Sequence, residues 1–133
     1  MDLYYVFTPF VAWAVTGIIK FLINCFIHKR FTFDLIGYGG LPSNHSAIVS
    51  SIVSIIAFKE GINHPAFGVA ITLAFIVILD AYSLRNEIGN HAREINKLNS
   101  MNSLRTRLGH NKYEIILGII LGIFSAWIVC KIL

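Results

Sequence analysis

The stretch YEIILGIILGIFSAWIVCKIL, residues 113–133, decides the fold class. It carries no charged residue between Glu114 and Lys131. A helix crosses the hydrocarbon core of a bilayer when about 20 consecutive residues are mainly apolar. Three other stretches have a similar character, and the set of four predicts an all-α, integral membrane helix bundle of about four transmembrane helices in one domain, residues 1–133. The predicted spans are residues 3–27, 41–58, 65–84 and 113–133.

The composition of the chain agrees with a membrane location. Of its 133 residues, 56% are hydrophobic and 14% are charged, and the mean hydropathy is +0.68. Soluble domains carry about 25% charged residues. This composition excludes a water-soluble globular enzyme and a disordered chain.

The polar loop, residues 85–112, contains a second helical pattern. Apolar residues recur there at helical spacing, with charged residues elsewhere around the wheel. We expect a short amphipathic helix that lies at the membrane interface. The apolar positions are Leu84, Ile88, Ala92, Ile95, Leu98 and Met101.

The positive charge of the chain is concentrated in the same loop. Six of the eleven Lys and Arg residues lie within residues 85–112, and Lys29 and Arg30 follow the first span. Both loops are therefore predicted to face the cytoplasm of a bacterial-type plasma membrane, with both termini outside. The excess charge is typical of a cytoplasmic loop or of a site for an anionic group. Nucleic acid is not expected as a partner, because the loop lacks interleaved aromatic residues.

A first polar motif, GGLPSNHS at residues 39–46, opens the second span. Gly39 and Gly40 permit a tight backbone path, Pro42 suits a helix start, and Ser43 suits a helix cap. Free amides at such a helix start can hold an anion, and His45 would stand in the first turn. The motif is consistent with an anion cradle or with a simple capped helix start.

A second polar motif, RTRLGHNKYE at residues 105–114, opens the last span. His110 and Glu114 are four residues apart, so on a helix they share a face. A carboxylate on one imidazole nitrogen leaves the other nitrogen basic and oriented, as a nucleophilic or general-base histidine requires. The plainer interpretation is an interfacial His–Glu pair that caps a helix.

Small residues continue the face of Glu114 along the last span, at Gly118 and Gly122. Such a stripe allows close helix packing in a membrane. It would serve either a homodimer or packing within one subunit, and the pattern alone leaves both open.

Asp80 near the end of the third span is an ionisable group at a membrane boundary. It is expected either to pair with a phosphate-binding arginine such as Arg85 or to be a solvated helix end. A metal site built from His45, His110, Glu114 and Asp80 is the least supported alternative, because no ligand pair has zinc spacing. No metal and no cofactor are expected.

The two motifs resemble those of a known superfamily. Pro42-Ser43-Asn44-His45 resembles the Pro-Ser-Gly-His motif of the type 2 phosphatidic acid phosphatases and vanadium haloperoxidases. His110, three residues, Glu114-Ile115, two residues and Gly118 resemble the later motif, in which Asp-Val stands at the Glu-Ile position. With the segment from Asp80 to Arg85, the chain looks most like the divergent branch of that superfamily, the small YuiD-like membrane proteins.

The resemblance implies a metal-independent phosphatase of a lipid or isoprenoid phosphate monoester or diphosphate. In that family's mechanism His110 would attack phosphorus and become phosphorylated, Glu114 would orient it, and His45 would protonate the departing oxygen. Asp80 would support the site. The alternative is a catalytically inactive protein that binds or transports a lipid phosphate. The residues expected to hold phosphate are Ser43, Asn44, Arg105, Arg107, Arg85 and Lys20.

Two departures from the family pattern are visible. Asn44 replaces the glycine of the first motif, and Gly109 stands directly before His110 instead of two residues before it. The arginine of the later motif is therefore either Arg105 or Arg107.

Overall fold

A computed structural model describes residues 3–35, 40–100 and 102–133, and within them the regular structure is helical. Gly39 of the first motif and Met101 of the amphipathic pattern lie outside the described residues. A short 3₁₀ turn at Phe33–Leu35 lies between the first two α-helices. The α-helices are α1 (Tyr4–His28), α2 (Asn44–Lys59), α3 (Pro65–Tyr82), α4 (Leu84–Leu98) and α5 (Lys112–Ile132).

The all-α membrane bundle predicted from the sequence is confirmed. Within the described part of the chain, three segments are long and apolar enough to cross a membrane: Tyr4–His28, Pro65–Leu98 and Lys112–Ile132. In the second of these, the apolar part is α3. Each of the four predicted spans corresponds to one helix, α1, α2, α3 or α5, and their ends differ by at most three residues.

Helix α2 differs from the other predicted spans. It has 16 residues, which at 1.5 Å per residue is about 24 Å, less than the roughly 30 Å of a hydrocarbon core. It packs against α1, α3 and α5. Its length suffices because α2 lies among these helices, where it meets protein and not lipid.

The serines of α2 are packing residues of this central helix. Ser54 Oγ donates to the Ser50 carbonyl at 2.7 Å, and Ser51 Oγ donates to the Ile48 carbonyl at 2.8 Å. Both of these hydroxyls donate to a carbonyl of their own helix, so Ser51 and Ser54 are buried without an unpaired donor. Small side chains let the neighbouring backbones approach closely.

The glycine stripe of α5 makes the closest of these approaches. A Cβ atom added at Gly118 would lie closer than 3.0 Å to the Ser43 carbonyl oxygen, and one added at Gly122 would meet the Ala47 carbonyl oxygen in the same way. The stripe is therefore used within the subunit, against α2. The homodimer that the same stripe allowed has no support from these glycines.

The end of the bundle distant from the two motifs is closed by apolar packing. Its buried cluster is Ile55, Ile56, Ala70, Ala126 and Val129. The large exposed side chains of α1 and α3, such as Phe10 and Phe75, form the surface that a bilayer covers.

Helix α4 is amphipathic, as the sequence predicts, and it follows α3 after the single residue Ser83. Its apolar residues Leu84, Ile88, Ile95 and Leu98 are exposed, as expected of a helix at the membrane interface. Its buried residues are different ones: Gly89, Ala92 and Asn96. This second face is covered by the returning chain, residues 102–110, called the strap below.

Candidate functional site

The start of α2 is a capped helix N-terminus buried inside the bundle. Ser43 is the N-cap, and its Oγ accepts hydrogen bonds from the Ser46 amide at 3.3 Å and from Ser46 Oγ at 3.0 Å. Ser43 is fully buried. The first-turn amides of Asn44 and His45 have no preceding carbonyl within their own helix to bond. The cap predicted at Ser43 is confirmed.

The start of α5 is held by a capping box. Asn111 Oδ1 accepts from the Glu114 amide at 2.9 Å, and Glu114 Oε2 accepts from the Asn111 amide at 3.1 Å. The Asn-x-x-Glu pattern of residues 111–114 is a sequence signature of this motif, and our sequence analysis missed it. The box fixes the Glu114 carboxylate in one position.

The same carboxylate binds His110. The distance from His110 Nδ1 to Glu114 Oε2 is 3.0 Å, and both side chains are buried. A carboxylate only accepts hydrogen bonds, so Nδ1 carries the proton and Nε2 keeps its lone pair. Glu114 Oε2 therefore caps the start of α5 and also binds the His110 ring.

The backbone of His110 is fixed independently of its ring. Its amide donates to the Ala81 carbonyl at 3.0 Å, and its carbonyl accepts from Asn86 Nδ2 at 3.2 Å. Burial lowers the pKa of His110 below its ordinary value, and the hydrogen bond to Glu114 raises it again in part. The neutral imidazole is therefore the favoured form at neutral pH.

The two helix starts are joined to each other. The Ser43 amide donates to the Glu114 carbonyl at 3.0 Å. This bond brings the first motif beside the second, and the ring centroids of His45 and His110 lie 6.1 Å apart with 58° between the ring planes. The two loops that carry the motifs therefore lie at one end of the bundle, as the topology predicts.

Two buried polar atoms at this place have no hydrogen-bond partner among the residues described. They are His45 Nδ1 and Asn44 Oδ1. Buried polar atoms in proteins are normally paired. Two such atoms near the His110–Glu114 dyad indicate a position where a polar ligand or a water molecule would form the missing hydrogen bonds.

Cationic residues from three parts of the chain surround the histidines. The charges of Arg85 and Lys20 act on the rings of both His45 and His110. Arg107 Nη2 lies 3.6 Å from Glu114 Oε1. Lys20 is half-buried on α1, and the charges of Glu114 and Arg107 act on it.

The remaining predicted residues lie around this cluster. Asp80 pairs with Arg85, at 3.1 Å between Oδ2 and Nε, which is one of the two arrangements expected for it. The side-chain nitrogen Nδ2 of Asn44 lies near Gly17 of α1. Arg105 is exposed in the strap. The structure thus brings both histidines, Glu114 and three of the four predicted cationic residues into one cluster.

The residues that dock the strap were missed by the sequence analysis. Asn96 bonds both the amide and the carbonyl of Leu104, and Asn86 bonds the His110 carbonyl. Gly89 leaves room for the Thr106 carbonyl, where a Cβ atom would clash. Asn86, Gly89 and Asn96 lie on one face of α4. The sequence signal that could have revealed this face is a glycine inside a helix.

An open cleft of about 430 Å³ lies on the outer side of His110. Its lining residues are Tyr82, Asn86, His110, Asn111, Lys112 and Tyr113. In the described residues, no group of three or more His, Cys, Asp or Glu side chains is arranged to hold a metal ion.

Comparison with known proteins gives two matches and one negative result. A family profile described as "Divergent PAP2 family" matches residues 2–125. The "Uncharacterized membrane protein YuiD" of Bacillus subtilis (strain 168) is 28% identical, over 80% of this chain and 80% of its own length. No solved structure matches significantly.

Proposed function

The chain belongs to the divergent PAP2 family, and on that premise we propose that it is a membrane-embedded phosphatase of a lipid or isoprenoid phosphate monoester or diphosphate. The observation that carries the proposal is the buried His110–Glu114 dyad facing His45 at 6.1 Å between ring centroids. Rings this close to each other can contact the same phosphoryl group. The lipid substrate and the reaction are proposals that the geometry supports.

In the first step His110 Nε2 attacks phosphorus, because Nδ1 is occupied by Glu114. A P–N bond forms while the bond from phosphorus to the leaving oxygen breaks. His45 donates its proton to that oxygen, so the alcohol or phosphate leaves in protonated form. Glu114 stabilises the positive charge that develops on the His110 ring.

In the second step water attacks the phosphohistidine. His45, now neutral, takes a proton from the water as the P–N bond breaks. Inorganic phosphate leaves, and His110 regains its lone pair. The step restores both histidines to their starting protonation states.

Basic groups stabilise the phosphoryl oxygens during both steps. Ser43, Asn44 and the free amides of the α2 start lie on one side of the histidines, where a helix N-terminus favours an anion. Lys20, Arg85 and Arg107 supply positive charge, and Arg105 adds to it from the strap. Such fixed charges act on the negative charge that the phosphoryl group carries in the transition state.

The proposed location is a bacterial-type plasma membrane, with the site on the cytoplasmic side. The support is the excess of Lys and Arg in the loops at the site end. The apolar tail of the substrate would lie among the helices, with its phosphate beside His45 and His110.

Binding without turnover is a second candidate function. The observation that favours it is the Arg107–Glu114 ion pair at 3.6 Å. Arg107 offsets part of the negative charge of this carboxylate, so Glu114 stabilises a positively charged His110 less well. A lipid-phosphate binding or transport protein would need the cations and the cradle but not a strong nucleophile.

Purified protein in lipid nanodiscs tests the proposal, with a panel of lipid and isoprenoid phosphates and with orthovanadate as inhibitor. His110→Ala is expected to abolish phosphate release and acid-labile phosphohistidine labelling. His91→Ala, which removes an exposed histidine of α4, is the control and should leave both unchanged. Full activity in His110→Ala would refute the mechanism.

The role of His45 has its own measurement. An activated leaving group such as p-nitrophenolate departs without a proton, whereas an alkoxide does not. His45→Ala should therefore lose far more activity on a lipid phosphate than on p-nitrophenyl phosphate. No turnover by the wild type with intact vanadate binding would favour the binding function.

A further inference from the structure

The strap is docked on α4 at three points. At one end Asn96 Nδ2 donates to the Leu104 carbonyl at 2.9 Å, and Asn96 Oδ1 accepts from the Leu104 amide at 3.1 Å. In the middle the Thr106 carbonyl packs on Gly89, and at the other end Asn86 bonds the His110 carbonyl. The strap therefore runs back along α4 toward the bundle.

Burial shows that Asn96 serves this contact. It is 8% exposed, on a helix whose other polar residues, such as Asn90 and Arg93, are exposed. A buried amide costs free energy unless its donor and acceptor are both paired. Both are paired here with the backbone of one residue, so Asn96 holds Leu104 in a single register.

Register matters because exposure alternates from one residue to the next in the middle of the strap. Thr106 and Leu108 are half-buried, whereas Arg105 and Arg107 are exposed. A slip by one residue would turn the arginines toward α4 and the apolar side chains toward the site. The bond pair at Leu104 opposes such a slip, since a shift in either direction breaks both bonds.

Toward its other end, the strap carries Arg107, whose position depends on this register. Arg107 lies beside Glu114, and its Nη2 lies 3.9 Å from where a Cβ atom at Gly40 would stand. Arg107 is three residues from Leu104 and three from His110. We infer that Asn96 is a positioning residue of the phosphate site, which sets the register of the strap and thereby aims Arg107 at the bound phosphoryl group.

This inference rests on the proposed function for its ligand, so its test has two independent readouts. The first is amide hydrogen exchange at Leu104, measured by NMR in the wild type, Asn96→Ala and Asn90→Ala. A hydrogen bond contributes about 1 kcal/mol, and about 1.4 kcal/mol corresponds to a factor of ten, so exchange in Asn96→Ala should be about 5-fold faster. Asn90, which is exposed and accepts a hydrogen bond from Arg93 of its own helix, is the matched control, and Asn90→Ala should leave exchange unchanged.

The second readout is the affinity for orthovanadate, measured in nanodiscs well below the unfolding temperature. Asn96→Ala should weaken vanadate binding about 10-fold, the loss expected when one charge-assisted hydrogen bond is misplaced. Asn90→Ala should bind as the wild type does. Equal exchange and equal affinity in the two variants would overturn the inference.

Two further outcomes separate the possible failures. If Asn96→Ala does not fold, Asn96→Asp takes its place, with Asn90→Asp as the control for the added charge. A carboxylate cannot donate to the Leu104 carbonyl, so Asn96→Asp should bind vanadate more weakly than Asn90→Asp, and equal affinity in the two would overturn the inference. If the wild type binds no vanadate, the proposed function fails. The exchange rates then still decide whether Asn96 sets the strap.

Discussion

Replacing Gly118 with alanine tests the tightest contact of the structure and the site together. The added Cβ atom would lie closer than 3.0 Å to the Ser43 carbonyl oxygen and 3.0 Å from Ser46 Cβ. Ordinary contact is about 3.5–4 Å. The start of α2 must therefore move away from α5 by roughly 0.5–1 Å, because neither backbone has a flexible end that yields.

The magnitude follows from two opposing terms. Overpacking of this kind costs about 1–3 kcal/mol, and the better helix propensity of alanine returns up to about 1 kcal/mol. We expect Gly118→Ala to lower the free energy of unfolding by about 1–2 kcal/mol. His45 moves with α2, and a displacement near 1 Å at a reacting group costs about 10²-fold in rate.

Gly68→Ala is the matched control for this substitution. Gly68 is a helix glycine of α3, and a Cβ atom there meets nothing within 4 Å. Unfolding is followed in mixed micelles of rising SDS content, and activity is followed as phosphate release. Gly68→Ala should be as stable as the wild type or slightly more stable, and fully active.

One result would refute the reasoning. If Gly118→Ala unfolds at the same SDS content as Gly68→Ala and keeps its activity, the starts of α2 and α5 do not pack as closely as described. If Gly118→Ala is less stable but fully active, the close packing is supported, but this contact does not control the position of His45.

Two further predictions concern the charges of the site. Burial lowers the pKa of His110, so activity should fall on the acidic side only below the ordinary histidine range of about 6.5. Glu114→Gln removes the negative charge that raises this pKa, so a pH–rate profile should show the acidic limb at still lower pH and a reduced maximum. An upward shift would contradict the pairing of His110 with Glu114. Arg107→Gln should weaken orthovanadate binding about 10-fold or more by isothermal titration, whereas Arg93→Gln, on the exposed side of α4, should bind like the wild type; equal loss in both would mean that only net charge matters.

Local sequence patterns predicted the features that depend only on residues close to each other in the sequence. The apolar runs located the helices, because a membrane-spanning segment must form its backbone hydrogen bonds within itself, whichever helices pack beside it. The cap at Ser43 and the His110–Glu114 contact are interactions across three and four residues. Such contacts follow from helix geometry, so the sequence is sufficient for them.

Contacts between distant segments were not predictable in the same way. Asn86, Gly89 and Asn96 have no distinguishing pattern until the strap is seen against them, because their partners are up to 24 residues away along the chain. The central position of α2 was also missed. Its small side chains are compatible with several packings, and the choice depends on which backbones approach them.

The sequence by itself determined that this chain is a helical membrane bundle with a paired histidine and carboxylate at a helix start, since hydropathy and helical period are local properties. The tertiary structure decided that Gly118 and Gly122 pack within the subunit, that His45 faces His110, and that the strap is held by Asn96. These depend on the close packing of backbones and on the pairing of buried polar atoms, which are satisfied only when all the helices are in place.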